Sequence, residues 1–538
     1  MSDFNVEQLL KRISELEAEL KSTKKYGLVW DKEKTKEDIV LKCEKFIPIL
    51  LPEKSKNISK GKFNNILIEG DNFHALTALN YIENNSIDFI YIDPPYNTGQ
   101  EDFIYNDNYV DKEDEYRHSK WLNFMQKRLL LARNLLKDSG MIFISIDDNE
   151  LYNLKLLCDS IFGEINFESN ICVETGEVFG TKAAHVEKTI VKVKDYILVY
   201  SKNKKYSKCR TPLYEKMNEL YDSHYNVIIS NGNKYSLIDF LKGDSTYLNY
   251  FKKYSLNVNY DNISFLLKID TDFKNKFYNE ISKVLYTDQP LSKKMTDDEL
   301  NSFQIGKIYN FEGKYIFKTA GNKIRYYQSF IECLHYTDDY QRDFCRSSVR
   351  GDLWKNFHID MRNIDDEGAV KFKNGKKPVR LLRQLLKWFN EKNALVLDFF
   401  AGSGTTGEAV LEQNKEDGGH RKFILCTNNE NNICNDVTYQ RLKTVINGIR
   451  PDGSKYSDGI PANLYYFKTD FIEDQPNTEQ ARYNLVEKVD SLLCKAEDIM
   501  EEIDRNNYSS HYANGNKHLF IYNDYYNQIK FNEFKQSG

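Results

Sequence analysis

Two stretches of the chain hold the residue types best suited to chemistry: "YIDPPYNTG" at 91–99 and "DFFAGSGTTGEA" at 398–409. In the first, Asp93, Pro94, Pro95 and Tyr96 form a compact set of acceptors beside an aromatic ring. An exocyclic amino group on a nucleobase is a poor nucleophile, because its lone pair is delocalised into the ring. Two acceptors aimed at its hydrogens, the Asp93 carboxylate and the Pro94 carbonyl, favour a pyramidal nitrogen whose lone pair points at a methyl donor. Proline fixes φ and so holds that carbonyl in place. Tyr96 offers a ring on which a base could stack after leaving its duplex, as base-modifying enzymes require. Pro-Pro after a strand is also a stiff turn out of a sheet, but that reading leaves the flanking Asp93 and Tyr96 unexplained.

In the second stretch, Gly402, Gly404 and Gly407 spell the GxGxxG of a dinucleotide site, and Gly402 to Gly407 open like a P-loop. A P-loop needs Lys and then Ser or Thr, to neutralise phosphate and hold magnesium, and Glu408 and Ala409 can do neither. For a dinucleotide, strand, turn and helix fall in place and Glu430 is suitably spaced for a ribose hydroxyl. Asp398 counts against it, because its charge at the strand end would face a pyrophosphate. S-adenosylmethionine, with a sulfonium and an ammonium against one carboxylate, suits an acidic strand end beside glycines that permit close backbone approach. The loop alone leaves both cofactors open.

These residues need a sheet to present them. "NNILIEGD" (64–71) and "SIDFIYID" (86–93) read as short apolar strands around the helix-compatible "NFHALTALNYIE". Trp121, Met125, Leu129, Ala132 and Leu136 recur at helical spacing up to Gly140, after which "MIFISID" (141–147) reads as a strand and "DNELYNLKLLCDSIFG" as a helix. "DYILVYSK" (195–202) is a further strand, and the rhythm resumes with "NALVLDFFAGSG" (393–404), "KFILCT" (422–427) and a helix from about Ile433 to Ile446. One α/β sheet interrupted by an insert is expected, with parallel strands and ligands at their carboxyl ends. The insert is rich in Tyr, Asn, Lys and Ser without clear periodicity, and "RPDGSKYSDGIP" (450–461) leads into a polar, helical C-terminal segment. At the N-terminus, Val6, Leu9, Ile13, Leu16 and Leu20 mark an a/d seam two heptads long, equally suited to packing on its own domain and to a dimer contact.

At 538 residues, two or three domains are expected. No apolar run approaches the roughly 20 residues of a membrane span, and the N-terminus has no apolar signal core, so a cytoplasmic protein is expected. Nine cysteines without a CxxC pair argue against a disulfide framework or a zinc cluster, and no metal is expected. With a net charge of -5, any nucleic-acid surface must be a local patch. The densest basic run, Lys373, Lys376, Lys377, Arg380, Arg383 and Lys387, reads first as a solvated helix face with an apolar stripe and second as a DNA contact. In the insert, "KNKKYSKCR" and "YLNYFKKYSLNVNYDN" interleave aromatic and basic residues, although Tyr, Asn and Lys abound throughout the chain. His335 and His358 are isolated and read as structural or surface histidines.

The chain resembles the amino-group DNA methyltransferases, whose signatures are (D/N/S)PP(Y/F/W), here Asp93 to Tyr96, and FxGxG, here Phe400 to Gly404. The catalytic motif precedes the cofactor motif across a long insert, as in the β class. "KKYGLVWD", "LIEGDNFHAL", "DPPYNTGQEDFIYND", "ISIDDNE" and "DFFAGSGTTGEAV" look like the modification subunit of type III restriction-modification systems. The resemblance covers roughly residues 1–202 and 350–470, and not the insert.

It implies a Rossmann-like α/β sheet that uses S-adenosylmethionine, and an adenine-N6 product, since the Asp form of the motif goes with adenine and the Ser form with N4-cytosine. The implied domains are an N-terminal helix (1–30), a first catalytic part (31–202), a target-recognition insert (203–345), a second catalytic part with the cofactor loop (346–470) and a C-terminal segment (471–538). Asp93, Pro94, Pro95 and Tyr96 are the implied catalytic set. Around the cofactor the resemblance places Asp71 at its adenine and Lys377 and Pro378, in "NGKKPVRLL" (374–382), near its methionine end. Asp398, Phe399, Phe400, Ala401, Gly402, Ser403, Gly404 and Thr405 form the loop. "TNNE" (427–430) departs from the usual apolar-acidic strand end, so Glu430 shares the ribose role with Asn429 or Asn428. The partners implied are double-stranded DNA with a flipped adenine, a second copy of the chain, and an ATP-dependent restriction subunit. Competing readings are N4-cytosine methylation, a DNA-binding specificity module without catalysis, and an NAD enzyme.

Overall fold

The computed structural model describes residue 30 and residues 37–99, 102–105, 108–178, 187, 189–206, 210–217, 220–230, 233–291, 296–362, 364–372, 375–472, 490–505 and 509–522. The N-terminal a/d seam therefore lies outside the described residues. Two compact units emerge, one made of the chain up to Thr211 and from Asp352 onward, the other of Pro212–Gly351. The insert was expected at 203–345.

The first unit is built on one large sheet. In chain order its strands are β1 (Ile47–Pro52), β2 (Asn64–Glu69), β3 (Ile87–Ile92), β4 (Leu136–Ile146), β5 (Phe167–Glu174), β6 (Lys194–Ser201), β7 (Leu395–Asp398), β8 (Lys422–Thr427) and β9 (Asn463–Ile472). Across the sheet they run β1-β9-β2-β8-β7-β3-β4-β6-β5, with Leu353–Trp354 beyond β5 and Ile58–Ser59 beside β9. From β9 to β4 every pairing is parallel. β3 is buried at all six positions, the continuous apolar run expected of a parallel strand covered on both faces. β7 lies beside it with Val396 opposite Phe89 and Leu397 opposite Ile90, so Asp398 and Asp93 emerge at neighbouring carboxyl ends.

Helices α1 (Asp38–Lys45), α2 (Asn72–Asn80), α3 (Arg117–Leu135), α4 (Leu151–Phe162), α5 (Val379–Phe389), α6 (Thr405–Asp417) and α7 (Gln440–Asn447) belong to this unit. α5 buries Val379, Leu381, Leu382, Leu385, Leu386 and Phe389, an i, i+3, i+4 stripe, and ends on the left-handed Asn390. No described helix is long and apolar enough to cross a membrane.

Three sequence expectations are corrected. α3 ends at Leu135 rather than near Gly140, because Leu136 is already extended and pairs with Ile87. Gly140 is a strand residue whose added Cβ would come within 2.9 Å of the Ile87 carbonyl oxygen. The C-terminal segment holds one described helix, Asp490–Glu497, and then an antiparallel sheet of Glu501–Arg505, Ser509–Asn514 and Lys517–Tyr522. Its last hairpin turns at Gly515-Asn516, with Gly515 at φ 59°, where a helix could not continue. Finally, the insert is regular: short helices that include Leu237–Gly243, Ser245–Lys253, Tyr260–Ile269 and Thr271–Asn279 accompany a six-stranded antiparallel sheet. Ser236, Asp244, Asn259 and Asp270 cap these four by accepting from the backbone N–H of the second or third residue of each helix.

Candidate active site

A cavity of about 920 Å³ opens at the carboxyl ends of β2, β3, β7 and β8. Asp71, Asp93–Tyr96, Lys377, Asp398–Ser403, Thr405 and Glu430 all line it. The two sequence motifs, some 300 residues apart, thus share one cavity. Pro378, Gly404 and Asn429 do not line it, whereas Asn428 does. Asn429 instead accepts from the Asn435 N–H at 3.1 Å, Pro378 caps α5, and Gly404 caps α6 in a left-handed conformation (φ 79°).

The tetrapeptide is held from behind. Trp121, fully buried on α3, donates its indole N–H to the Pro95 carbonyl at 2.8 Å. Asn97, buried and left-handed at φ 57°, turns the chain immediately after Tyr96. Its amide donates to Glu150 Oε1 at 2.5 Å, the same oxygen that His118 Nδ1 meets at 2.6 Å, while Asn153 donates to Glu150 Oε2 at 2.7 Å. Glu150 closes the "ISIDDNE" stretch and is fully buried. We expect Glu150→Gln, which gives up one acceptor among these donors, to lower kcat about tenfold to a hundredfold, because a misplacement near 1 Å at reacting atoms costs that much. Cofactor affinity should stay constant, and an unchanged kcat in steady-state assays would show that the anchor is dispensable.

Asp93 and Tyr96 do not face empty space. The Lys377 ammonium lies 3.2 Å from Asp93 Oδ1 and donates to the Tyr96 hydroxyl at 2.7 Å. Burial pushes Asp93 above the usual carboxylate range while Lys377 pulls it down, and burial carries the Tyr96 phenol well above its ordinary value.

In the cofactor loop, Asp398 accepts from the Phe400 N–H at 2.9 Å and from the Thr406 hydroxyl at 2.5 Å. Burial pushes this carboxyl up to about 7 against those two hydrogen bonds. Gly407 is required by packing, since a Cβ there would come within 2.5 Å of Leu442 on α7. The Ser403 and Thr405 hydroxyls turn back into the protein, where Arg441 Nη1 donates to them at 3.1 and 2.7 Å. Arg441 is completely buried, donates through Nε to Glu408 at 2.5 Å, and pairs with Glu367 at 3.3 Å. Glu408, which rules out a P-loop, is therefore half of a buried ion pair beneath the loop. The sequence reading missed Arg441 and Glu367, because single charges on separate segments leave no periodic signal.

Asp71 caps α2, accepting from Phe73 N–H at 2.7 Å and His74 N–H at 3.2 Å, and lies 3.5 Å from Arg128. Arg128, also missed, is buried across the Phe124 ring at 3.6 Å and bonds Glu37 at 2.8 Å. The basic run is not a solvated face. Lys376 is 3% exposed, Arg380 pairs with Asp360, and Arg383 pairs with Glu412 and Glu416; Lys373 lies outside the described residues. His335 stacks on Tyr214 at 3.7 Å and His358 bonds Glu177 at 2.6 Å, both structural uses.

The lining decides between the two cofactor types on charge. Seven carboxylates, of Glu37, Asp38, Asp71, Asp93, Asp102, Asp398 and Glu430, face three cations, of Lys42, Arg128 and Lys377. A pyrophosphate would meet net repulsion there, whereas a cationic ligand fits.

A family model for DNA methylases matches residues 87–438, and the chain belongs to that family. It is similar to the Mod subunit of the type III restriction-modification enzyme StyLTI of Salmonella typhimurium LT2, with 29% identity over 79% of this chain and 64% of that one. The EcoPI Mod subunit of Escherichia phage P1 is 31% identical over 71% of this chain and 60% of its own length. Over 75% of this chain and 90% of its own length, the type II methyltransferase M.KpnI of Klebsiella pneumoniae is 29% identical. The chain thus spans 60–64% of these two type III relatives.

Proposed function

We propose that this chain is a sequence-specific DNA methyltransferase that moves a methyl group from S-adenosylmethionine to the N6 amino group of an adenine flipped out of duplex DNA. The observation that carries this reading is the opening of Asp93–Tyr96 and the 398–405 loop onto one acid-lined cavity. Asp71, Glu430 and the backbone of Phe399–Thr405 would hold the cofactor. When bound, it supplies an electrophilic methyl carbon. Asp93 and the Pro94 carbonyl accept the hydrogens of the target amine and turn its lone pair outward. Trp121 and Asn97 fix the backbone on either side of Tyr96, so these acceptors are positioned before the base arrives. Tyr96 stacks on the base. Once the nitrogen has been methylated it is acidic, and Asp93 is the nearest carboxylate to hold the released proton.

The Mod-subunit names of its relatives support placing it in a type III restriction-modification system; that it works there as a dimer in the cytoplasm and joins an ATP-dependent restriction subunit rests on the family resemblance of its motifs. The insert, 203–345 by sequence, would read the target bases, with Tyr315, Lys314 and Tyr326 among its exposed or half-buried residues.

The test is to incubate the chain with unmethylated DNA and S-adenosylmethionine carrying a labelled methyl group, digest the DNA, and identify the labelled nucleoside by mass spectrometry. N6-methyladenine is expected. N4-methylcytosine would overturn the base assignment, and no label despite demonstrated cofactor binding would overturn the activity.

Asp398 adds a pH dependence. A cationic ligand favours its ionised form, and its pKa stands at about 7. Cofactor affinity, followed by calorimetry, should therefore weaken as pH falls below about 7, approaching tenfold per pH unit. Asp398→Asn should flatten that slope. For the fold alone the sign reverses: folding raises this pKa, so the contribution to stability is full below about pH 4 and is lost as pH rises through about 7.

A further inference from the structure

Resemblance puts Lys377 at the cofactor, yet its ammonium sits 3.2 Å from Asp93 Oδ1, 2.7 Å from the Tyr96 hydroxyl and 4.8 Å from the centre of the Tyr96 ring. Those are the features a target amino group would use: the acceptor carboxylate, the motif tyrosine and the face of its ring. We propose that Lys377 is a stand-in for the target amine, occupying the Asp93–Tyr96 site before DNA engages and giving way as the base enters. This inference rests on the methyltransferase reading above.

The residues flanking Lys377 are tethered, which leaves the movement to its side chain. Next to it, Lys376 is buried and donates to the carbonyls of Glu367 at 2.8 Å and Val370 at 3.0 Å. On the other side, the Glu367 carboxylate accepts from the Val379 N–H at 3.2 Å. Lysine is suited to the task, because a flexible four-carbon stem carries a compact charge with three donors.

The exchange is not neutral. An ammonium brings a positive charge to a carboxylate that is only 17% exposed, and an adenine amine brings none. Among the described residues, losing Lys377 leaves Asp93 facing Tyr96, Tyr91, Asp195 and Asp398, of which only Asp195 has a cation beside it, Lys192 at 3.5 Å. Base entry is therefore opposed unless another positive charge is near, and a cavity that takes a cationic cofactor provides one. Cofactor binding and base entry become coupled through this side chain.

Lys377→Met removes the charge and keeps the stem. The probe is a duplex with 2-aminopurine at the adenine that the wild-type enzyme labels; this base lacks the 6-amino group and cannot be methylated. In wild type, its fluorescence on flipping should rise when S-adenosylmethionine is added. In Lys377→Met, flipping should be strong without cofactor, with the cofactor effect reduced by about fivefold or more. The acid limb of kcat/KM should move to higher pH as Asp93 loses the cation that lowers its pKa, while the acid limb of kcat, which reports the base-bound complex, stays in place. Lys377→Arg, which restores the charge, should return the kcat/KM limb to its wild-type position. Cofactor affinity should not fall in either variant, and in Lys377→Met it should equal or exceed the wild-type value, because a cation has left the cavity.

A fall of more than tenfold in cofactor affinity, with flipping and pH profile unchanged, would overturn the proposal and make Lys377 a cofactor ligand. Failure of the activity itself would show separately, as a wild-type enzyme that labels no adenine.

Discussion

Replacing Asp93 by Asn should lower kcat by about 10²- to 10⁴-fold while leaving S-adenosylmethionine binding intact, measured as labelled methyl transfer against calorimetric cofactor affinity. Asparagine keeps the size of the side chain and one carbonyl acceptor but loses the charge. It also loses the capacity to hold a proton, and its amide presents N–H donors toward the ammonium of Lys377 and the incoming amine. Asp93 lies deep, so water replaces the lost acceptor poorly, which is why a large effect is expected. The bound cofactor would still meet Asp71, Asp398 and Glu430, so its affinity should change little. A variant with near wild-type kcat would remove Asp93 from the chemistry. Joint loss of turnover and binding would instead show that the tetrapeptide is part of the cofactor site.

The largest stability effect is expected at Arg441. Arg441→Met leaves Glu408, 1% exposed, without its cation and removes the donor shared by the Ser403 and Thr405 hydroxyls. Breaking one side of a buried ion pair costs about 3–5 kcal/mol. Lysine cannot repair it, since one ammonium lacks the planar fork that reaches Glu408, Glu367, Ser403 and Thr405 together. Denaturant unfolding should show a lowered midpoint, and cofactor affinity should fall with it, because the 403–405 backbone loses its brace. Gly368 offers an independent route to the same cluster. It sits at φ 62°, and a Cβ there would lie 2.2 Å from Arg441 Cγ, so Gly368→Ala should produce the same pair of defects. A stable Arg441→Met protein with weakened cofactor binding would confine the role of this residue to the loop.

How much of this was legible in the sequence depended on whether the information was local. Short, buried apolar strands are a local signal, so β2, β3, β7 and β8 are legible, with Asp93 and Asp398 at the tips of β3 and β7. GxGxxG is local too, with Gly407 read for close backbone approach and used for packing against α7. The α3–β4 junction was misplaced because Gly140 was taken as a helix stop, whereas pairing of Leu136 with Ile87 ends the helix earlier. Capping residues at 236, 244, 259 and 270 could have revealed the helices of the insert, but its aromatic and polar bias hid the apolar period. Arg441, Glu367, Arg128 and Glu150 act through partners far away in sequence, and no spacing rule exposes such pairs. Lys377 is legible in the sequence as a site residue, but only three-dimensional placement reveals its contacts with Asp93 and Tyr96.

The order of strands in the sheet also has a history in time. β2 and β3 are neighbours in sequence, yet β8 and β7 stand between them, and both are made roughly 300 residues after β3. At about 5–20 residues per second on a ribosome, the facing edges of β2 and β3 wait tens of seconds for the strands that separate them. Throughout that interval the cleft does not exist, so a nascent chain that already displays its tetrapeptide has no 398–405 loop to set against it. The same interval leaves two apolar strand edges open to mispairing, with each other or with a second chain. Yield of active enzyme should therefore respond to chaperone supply and to the speed of translation across the insert, even where the finished protein is stable.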